Sequence, residues 1–419
     1  MPALVAKISS YYCLGKEQIM NTTSYKVNNQ TMDANNQIKR LVITVLISMA
    51  VVQQMPIIRD LYYDQFRAIL YLSFGLFGLL SFLSIRRFLK CNLIKHFVIA
   101  LMYALLLSVF SWVLGKSTNP FLELLIPFGM LVCSLNTSFS KSQLSKLLIW
   151  YVVLASFLAI SSIFYYGHGF VITPTYVVPA KNQIGPIVGI ASIIAAILVL
   201  NKKQFKTKHN YWIVNLSLFL VLTASILVIR NRSSIVAIII ILIPILIKEY
   251  KPKKTINNFM IAHLLLIVLL LLFVFGVFNG VLDFVWKSMT LNYDVTDMQS
   301  LSAGRTDVYK MALRFVLEYP IFGEIGSDVI FDRTPHNYIL NKWVRYGVVG
   351  SMPLVIFYLY LWFFSIQGII FNKFKNNFSL PLWVLLFSLI VSIFEYTYPY
   401  GPGTSQVMLW FLIGQYLVE

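Results

Sequence analysis

The chain has 419 residues, 58% of them hydrophobic and 12% charged, where a soluble domain carries about 25% charged residues. Its apolar residues come in blocks near the roughly 20 that a helix needs to cross about 30 Å of hydrocarbon. That excludes an ordinary soluble protein and predicts an all-α polytopic membrane protein. The formal net charge of +18 would suit a nucleic-acid binder. Lys and Arg also collect on the cytoplasmic loops of membrane proteins, however, and no nucleic-acid partner is expected.

Residues 1–40 are polar, include Asn28-Asn29-Gln30, and read as a disordered cytoplasmic tail. No cleavable signal peptide is visible, and Met20 or Met32 inside the tail could be the true start. Hydropathy then predicts twelve spans at 41–58, 68–85, 96–115, 120–135, 147–166, 184–200, 211–229, 235–248, 259–279, 347–370, 381–398 and 405–418. Residues 41–279 thus hold spans one to nine and residues 347–419 hold spans ten to twelve. Residues 280–346 form one large loop.

With the N-terminus inside, the five inner loops hold sixteen Lys and Arg and one acid, Glu249. The large loop holds seven bases and eight acids and is close to neutral. This bias places the large loop, and Arg230 with Arg232, on the periplasmic face of the inner membrane. No internal repeat is visible, which weighs against a transporter of matched halves. Cys13, Cys91 and Cys133 are scattered without a CxxC, so neither a metal cluster nor a disulfide is expected.

Within the loop, Val308, Met311, Ala312, Phe315 and Val316 recur at helical spacing and predict a helix from Arg305 to Tyr319. Pro320 ends it, and Gly323 and Gly326 follow as turn residues. A second short helix is expected from His336 to Arg345, with Ile339, Leu340, Trp343 and Val344 on one face. Gly347 and Gly350 lead into the next span. A loop this long in a protein of short loops is where function is expected.

His336 lies in this loop between Pro335 and Asn337, and a neutral imidazole there can take a proton from an attacking hydroxyl. Its alternative role is to cap the helix that follows. Arg305 and Arg232 offer guanidinium forks that match phosphate and pyrophosphate oxygens. Arg230 competes with Arg232, and either could instead snorkel to headgroups. Arg314 is a further candidate, or a charge on a helix surface. Lys181, Asn182 and Gln183 open the sixth span and could hold a sugar or diphosphate, or simply cap the helix. Glu395 and Tyr398 close the eleventh span in a run of tyrosines, which suits sugar recognition; an aromatic belt is the competing reading. Asp294 and Asp297 lack the spacing of a metal loop, and no Walker A, HExxH or GxSxG motif occurs.

The ordered set Ser302-Ala303-Gly304-Arg305, Pro320-Ile321-Phe322-Gly323, His336-Asn337 and Gly347-Val348-Val349-Gly350 resembles the O-antigen ligase and O-antigen polymerase superfamily of bacterial polysaccharide glycosyltransferases. Lys181-Asn182-Gln183-Ile184-Gly185 and Arg232-Ser233-Ser234 are similar to two further signatures of that family. The resemblance covers roughly residues 180 to 410. It implies a membrane glycosyltransferase with a periplasmic catalytic loop, whose donor is a glycan on undecaprenyl pyrophosphate. By match, Arg232 and Arg305 would bind the pyrophosphate, and His336 would serve the acceptor hydroxyl, with Asn337 beside it. No metal or other cofactor is implied; the bilayer and a chain-length regulator are candidate partners. The run Phe394-Glu395-Tyr396 to Gly403 is more similar to polymerases, which puts polymerase first and ligase second. From other classes, a lipid-linked oligosaccharide flippase or a non-catalytic scaffold stays open.

Overall fold

The computed structural model describes residues 25–82, 91–115, 120–166, 178–200, 211–249, 276, 279–290, 293–302, 304–323, 334–371, 378–401 and 404–418. Among these residues every element is helical and no strand occurs. In chain order the helices are α1 Tyr25–Val52, α2 Pro56–Phe82, α3 Asn92–Val113, α4 Pro120–Leu135, α5 Lys141–Tyr166, α6 Lys181–Leu200, α7 Tyr211–Ile229 and α8 Arg232–Glu249. They continue as α9 Asn279–Thr290, α10 Met298–Leu301, α11 Arg305–Glu318, α12 Tyr338–Gly350, α13 Met352–Ile370, α14 Leu380–Ser392 and α15 Val407–Val418.

Four of these, α3, α5, α6 and α13, are long and apolar enough to cross a membrane, and shorter apolar helices pack among them. Helix α3 shows why the solvent around them is hydrocarbon. One stripe, Phe97, Ala100, Ala104 and Ser111, is buried, while Ile99, Met102, Leu106, Val109 and Val113 are each more than half exposed. An apolar stripe of that length facing outward would be costly in water and is at home in lipid.

The interior uses the close contacts expected of helices in a bilayer. Helix α15 lies against α4. Ser134 donates to the Phe411 carbonyl at 2.7 Å, and Gln415 Nε2 reaches the Ser134 and Thr137 carbonyls at 2.9 Å each. A Cβ on Gly414 would sit 2.4 Å from that of Ser134, so glycine is what lets the two backbones approach.

Some boundaries depart from the hydropathy reading. Helix α1 already begins at Tyr25, so the segment from Tyr25 to Arg40 is helical where an unstructured tail was expected. The first span ends at Val52 rather than 58, because Pro56 opens α2, which bends at Tyr62 (φ −134°, ψ 17°). The eleventh span stops at Ser392. The run that follows folds as a turn, with the Gly401 N–H donating to the Thr397 carbonyl at 2.6 Å, and Pro399 cannot extend a helix. All but the end of the expected ninth span lies outside the described residues.

Inside the large loop both expected helices form. Ala312 and Val316 of α11 are buried against Leu340 and Val344 of α12, and Val308, also buried, precedes them by one turn. Helix α12 begins two residues later than expected, and Asn337 is its cap: its side-chain oxygen accepts from the Leu340 N–H at 3.0 Å. The capping role considered for His336 therefore belongs to its neighbour. Helix α12 kinks at Gly347 (φ 70°, ψ 171°). There the Pro320 carbonyl accepts from Val348 N–H at 2.8 Å and the Ile321 carbonyl from Gly350 N–H at 2.9 Å. The turn after α11 is thereby fastened to α12.

A Cβ at Gly347 would lie 2.3 Å from the Ile321 oxygen, whereas one at Gly350 would meet nothing nearer than 3.4 Å. Gly347→Ala should destabilise the protein by about 3 kcal/mol or more, from strain and clash together. Thermal melting in detergent checks this: Gly347→Ala should melt well below the parent, and Gly350→Ala close to it.

Candidate active site

The ends of several helices enclose a cavity of about 770 Å³, a size typical of ligand pockets. It lies between the start of α6, the α7–α8 turn, α9, α11, the start of α12 and the turn after α14. Glu395 is among its lining residues. Glu395 is 5% exposed; its Oε1 accepts from Arg305 NH2 at 3.2 Å and its Oε2 meets His336 Nδ1 at 3.1 Å. Arg305 NH1 also donates to the Phe394 carbonyl at 3.0 Å.

An ionised carboxylate can only accept, so the shared hydrogen sits on His336 Nδ1 and leaves Nε2 as the acceptor. The ring is held further by Tyr396, edge-on at 6.0 Å, and its backbone by Tyr309, whose hydroxyl donates to the His336 carbonyl at 2.9 Å. Burial pushes the Tyr309 phenol upward, with Glu395 adding to the shift and Arg305 opposing it. Tyr309 therefore stays a neutral donor.

A cationic wall is built by a tight connection. Arg230 takes a left-handed backbone (φ 61°) and closes α7, its N–H donating to the Ile226 carbonyl at 3.0 Å. Asn231 then starts α8: its Oδ1 accepts from the Ser234 N–H at 2.9 Å, and its Nδ2 donates to the Lys181 carbonyl at 2.9 Å. One buried side chain thus joins the start of α6 to the start of α8. Gly185 makes room for it, since a Cβ there would lie 2.4 Å from Asn231 Cγ. The result brings Lys181, Arg230 and Arg232 to the same cavity. The Arg232 guanidinium lies 4.1 Å over the Tyr293 ring, a cation–π contact.

Among the described lining residues there are four cationic side chains, Lys181, Arg230, Arg232 and Arg305, and one carboxylate, Glu395. Glu395 is already engaged by Arg305 and His336. The excess positive charge in a partly desolvated space favours a multiply charged anion such as a diphosphate.

Of the residues singled out from sequence, the cavity gathers Lys181, Asn182, Arg230, Arg232, Arg305, His336, Asn337 and Glu395. It does not gather Gln183, Arg314 or Tyr398. Arg314 is exposed on the side of α11 turned away from Val308 and Ala312. Tyr398 is buried, and its hydroxyl donates to Ser405 Oγ at 2.6 Å. Gln183, the next residue after Asn182 in α6, does not line the cavity. Sequence reasoning passed over Tyr293, Tyr309 and Asn231 as site residues, and Tyr396 entered it only within the run of tyrosines around Glu395. Of the first three, Asn231, set between two candidate arginines, carried a local signal. The carboxylates of Asp294 and Asp297 accept from nearby Thr296, Gln299 and Ser300 N–H groups at 2.8–3.1 Å. The Thr296 hydroxyl, donating to Asp294 at 2.6 Å, and then the Thr296 N–H hold Asp294 below the usual carboxylate range, and these contacts explain both acids as loop-fixing groups. Among the described residues no three His, Cys, Asp or Glu side chains converge as a metal site would require.

Fold and cavity define a multi-pass helical membrane protein with a cation-lined cavity at one end of its helices. Residues 216–355 match the family model described as O-antigen ligase. This third of the chain carries a domain of the O-antigen ligase and polymerase superfamily, whose members are glycosyltransferase-like enzymes. The matched segment contains Arg230, Arg232, Arg305 and His336; Lys181 and Glu395 join the cavity from outside it. No curated protein matches the chain.

The cationic wall predicts that purified protein binds inorganic pyrophosphate. Arg232→Ala and Lys181→Ala should each weaken binding about 10-fold, as expected for loss of one charge-assisted contact. Arg314→Ala should leave it unchanged. Titration calorimetry in detergent reads all three.

Proposed function

We propose that the cavity is the active site of a surface-polysaccharide polymerase on the periplasmic face of the bacterial inner membrane. The donor is a glycan on undecaprenyl pyrophosphate, and the acceptor is a sugar hydroxyl of another lipid-linked repeat unit. The observation that carries this reading is the meeting of Arg232, Arg305 and His336 in one cavity, although they come from three separate parts of the chain.

The chemistry follows from the charges. His336 Nε2 takes the proton of the acceptor hydroxyl as its oxygen attacks the anomeric carbon of the donor. The bond from that carbon to the pyrophosphate oxygen breaks, and undecaprenyl pyrophosphate leaves with the electron pair. Lys181, Arg230 and Arg232 stabilise the charge that grows on the leaving group. The imidazolium is stabilised by Glu395 until it returns its proton to water. One displacement inverts the anomeric configuration. Arg305 has a narrower part than the sequence suggests. Two of its nitrogens are committed to Glu395 and Phe394, so its main effect is to hold the carboxylate that holds the histidine.

The ligase reading, transfer of finished glycan to lipid A–core, has one observation in its favour: the matching family model carries the ligase description. It uses the same cavity and the same steps, with a different acceptor. A flippase has no need of an imidazole oriented by a buried carboxylate.

Complementation of a null strain, with surface polysaccharide run on a gel, tests the reaction and separates the acceptors. His336→Ala should cut product by about 10²–10⁴-fold, the range of general-base catalysis, while the protein still inserts. Under the polymerase reading the variant leaves core bearing a single repeat. Bare core with accumulating lipid-linked polymer would assign a ligase instead. An unaltered ladder would refute catalysis at this site.

A further inference from the structure

Outside the cavity, three charged side chains meet at the first turn of α4. Lys342 of α12 is 1% exposed, and its Nζ forms an ion pair with Glu123 Oε2 of α4. Arg345, one turn along α12, approaches the other oxygen, Oε1, at 3.9 Å. The Glu123 side chain is 13% exposed. None of the three lines the cavity.

Helix α12 begins two residues after His336, so whatever sets its place on α4 also sets the imidazole. Two contact chains run from the charged group to the site. Arg345 lies 5.8 Å from the Tyr396 ring, and Tyr396 lies edge-on to His336. Lys342 sits 5.3 Å from the Tyr338 ring, and Tyr338 stacks on Tyr358 at 4.6 Å. The Tyr358 hydroxyl is bonded at 2.8 Å to Ser392, the last residue of α14 and three before Glu395. The charged group is thus connected to both halves of the His336–Glu395 pair.

Stability alone does not account for it. A buried ion pair contributes little net stability, because desolvation offsets attraction, and an apolar pair of similar volume often does as well. What an ion pair adds is direction, since each partner accepts the other in few poses.

We propose that Glu123 is a positioning residue: through Lys342 and Arg345 it fixes α12 on α4 and thereby holds His336 at bonding distance from Glu395. The readout through catalysis rests on the function proposed above, so the test has an arm that does not. In the first arm, the three native cysteines are replaced by Ala, and His336→Cys and Glu395→Cys are introduced into full-length protein in lipid nanodiscs. A short bis-methanethiosulfonate then measures how fast positions 336 and 395 are bridged. In the second arm, membranes carrying the otherwise native chain are assayed for maximal rate and half-saturating concentration with the strain's own lipid-linked glycan.

Each arm compares the parent with Glu123→Gln and with the double variant Glu123→Leu/Lys342→Met. The double variant removes the Lys342 charge together with that of its carboxylate partner and keeps the test valid if Glu123→Gln folds poorly. Both variants should slow bridging about 5-fold or more, and lower the maximal rate about 10-fold or more with half-saturation unchanged, as misplacement of a catalytic group does. Undiminished bridging in the folded double variant overturns the proposal, whatever the rate. So does slowed bridging with a full maximal rate. If the parent transfers no glycan at all, the proposed function fails, and bridging alone decides the role of Glu123.

Discussion

A buried carboxylate needs partners, and the choice of partners by Glu395 organises this molecule. Left alone at 5% exposure, its charge would be costly. Arg305 and His336 supply the compensation, and both come from the large loop, whereas Glu395 comes from the turn after α14. One requirement of electrostatics therefore ties the loop to the membrane helices. It also determines which imidazole nitrogen is available, because a carboxylate on Nδ1 leaves the lone pair on Nε2.

The rest of the cavity obeys the complementary rule. Lys181, Arg230 and Arg232 are brought together by a connection that Asn231 joins to α6 and that Gly185 accommodates. Concentrating like charges costs energy that a bound polyanion returns, so the wall suits the leaving pyrophosphate of the proposed reaction. The division of labour is spatial: cations on the α6–α8 side, the oriented base on the α11–α12 side. The proposed transfer needs that separation, with the reacting carbon between them.

The helical membrane class was legible because hydropathy reports solvent directly, and α3, α5, α6 and α13 match expected spans. So were the two loop helices, since the 3.6-residue period of Val308, Ala312 and Val316 survives as the buried side of α11. Convergence of Arg232, Arg305 and His336 was anticipated from the chemistry of each side chain together with the family resemblance of the motifs that carry them. The tie between Glu395 and His336 was not, because nothing local to either residue encodes a contact across 59 positions. The same holds for Lys342 and Glu123, 219 positions apart. A lysine on an amphipathic helix reads as a solvated charge until its partner is seen. Tyr398 misled for the opposite reason. Its neighbours look like a sugar-binding aromatic cluster, yet the turn buries its hydroxyl against Ser405. Position relative to other helices, which decides these cases, is the part of the fold that periodicity cannot express.

The tautomer of His336 tests the central claim most directly. In full-length protein in lipid, isotope-labelled histidine nitrogens can be observed by solid-state magnetic resonance, with the His336 signals identified by their loss in His336→Asn. A pyrrole-type Nδ1 and a pyridine-type Nε2, both altered in Glu395→Gln, is the result expected if the carboxylate holds the ring. The reverse tautomer, or signals indifferent to Glu395→Gln, would contradict it.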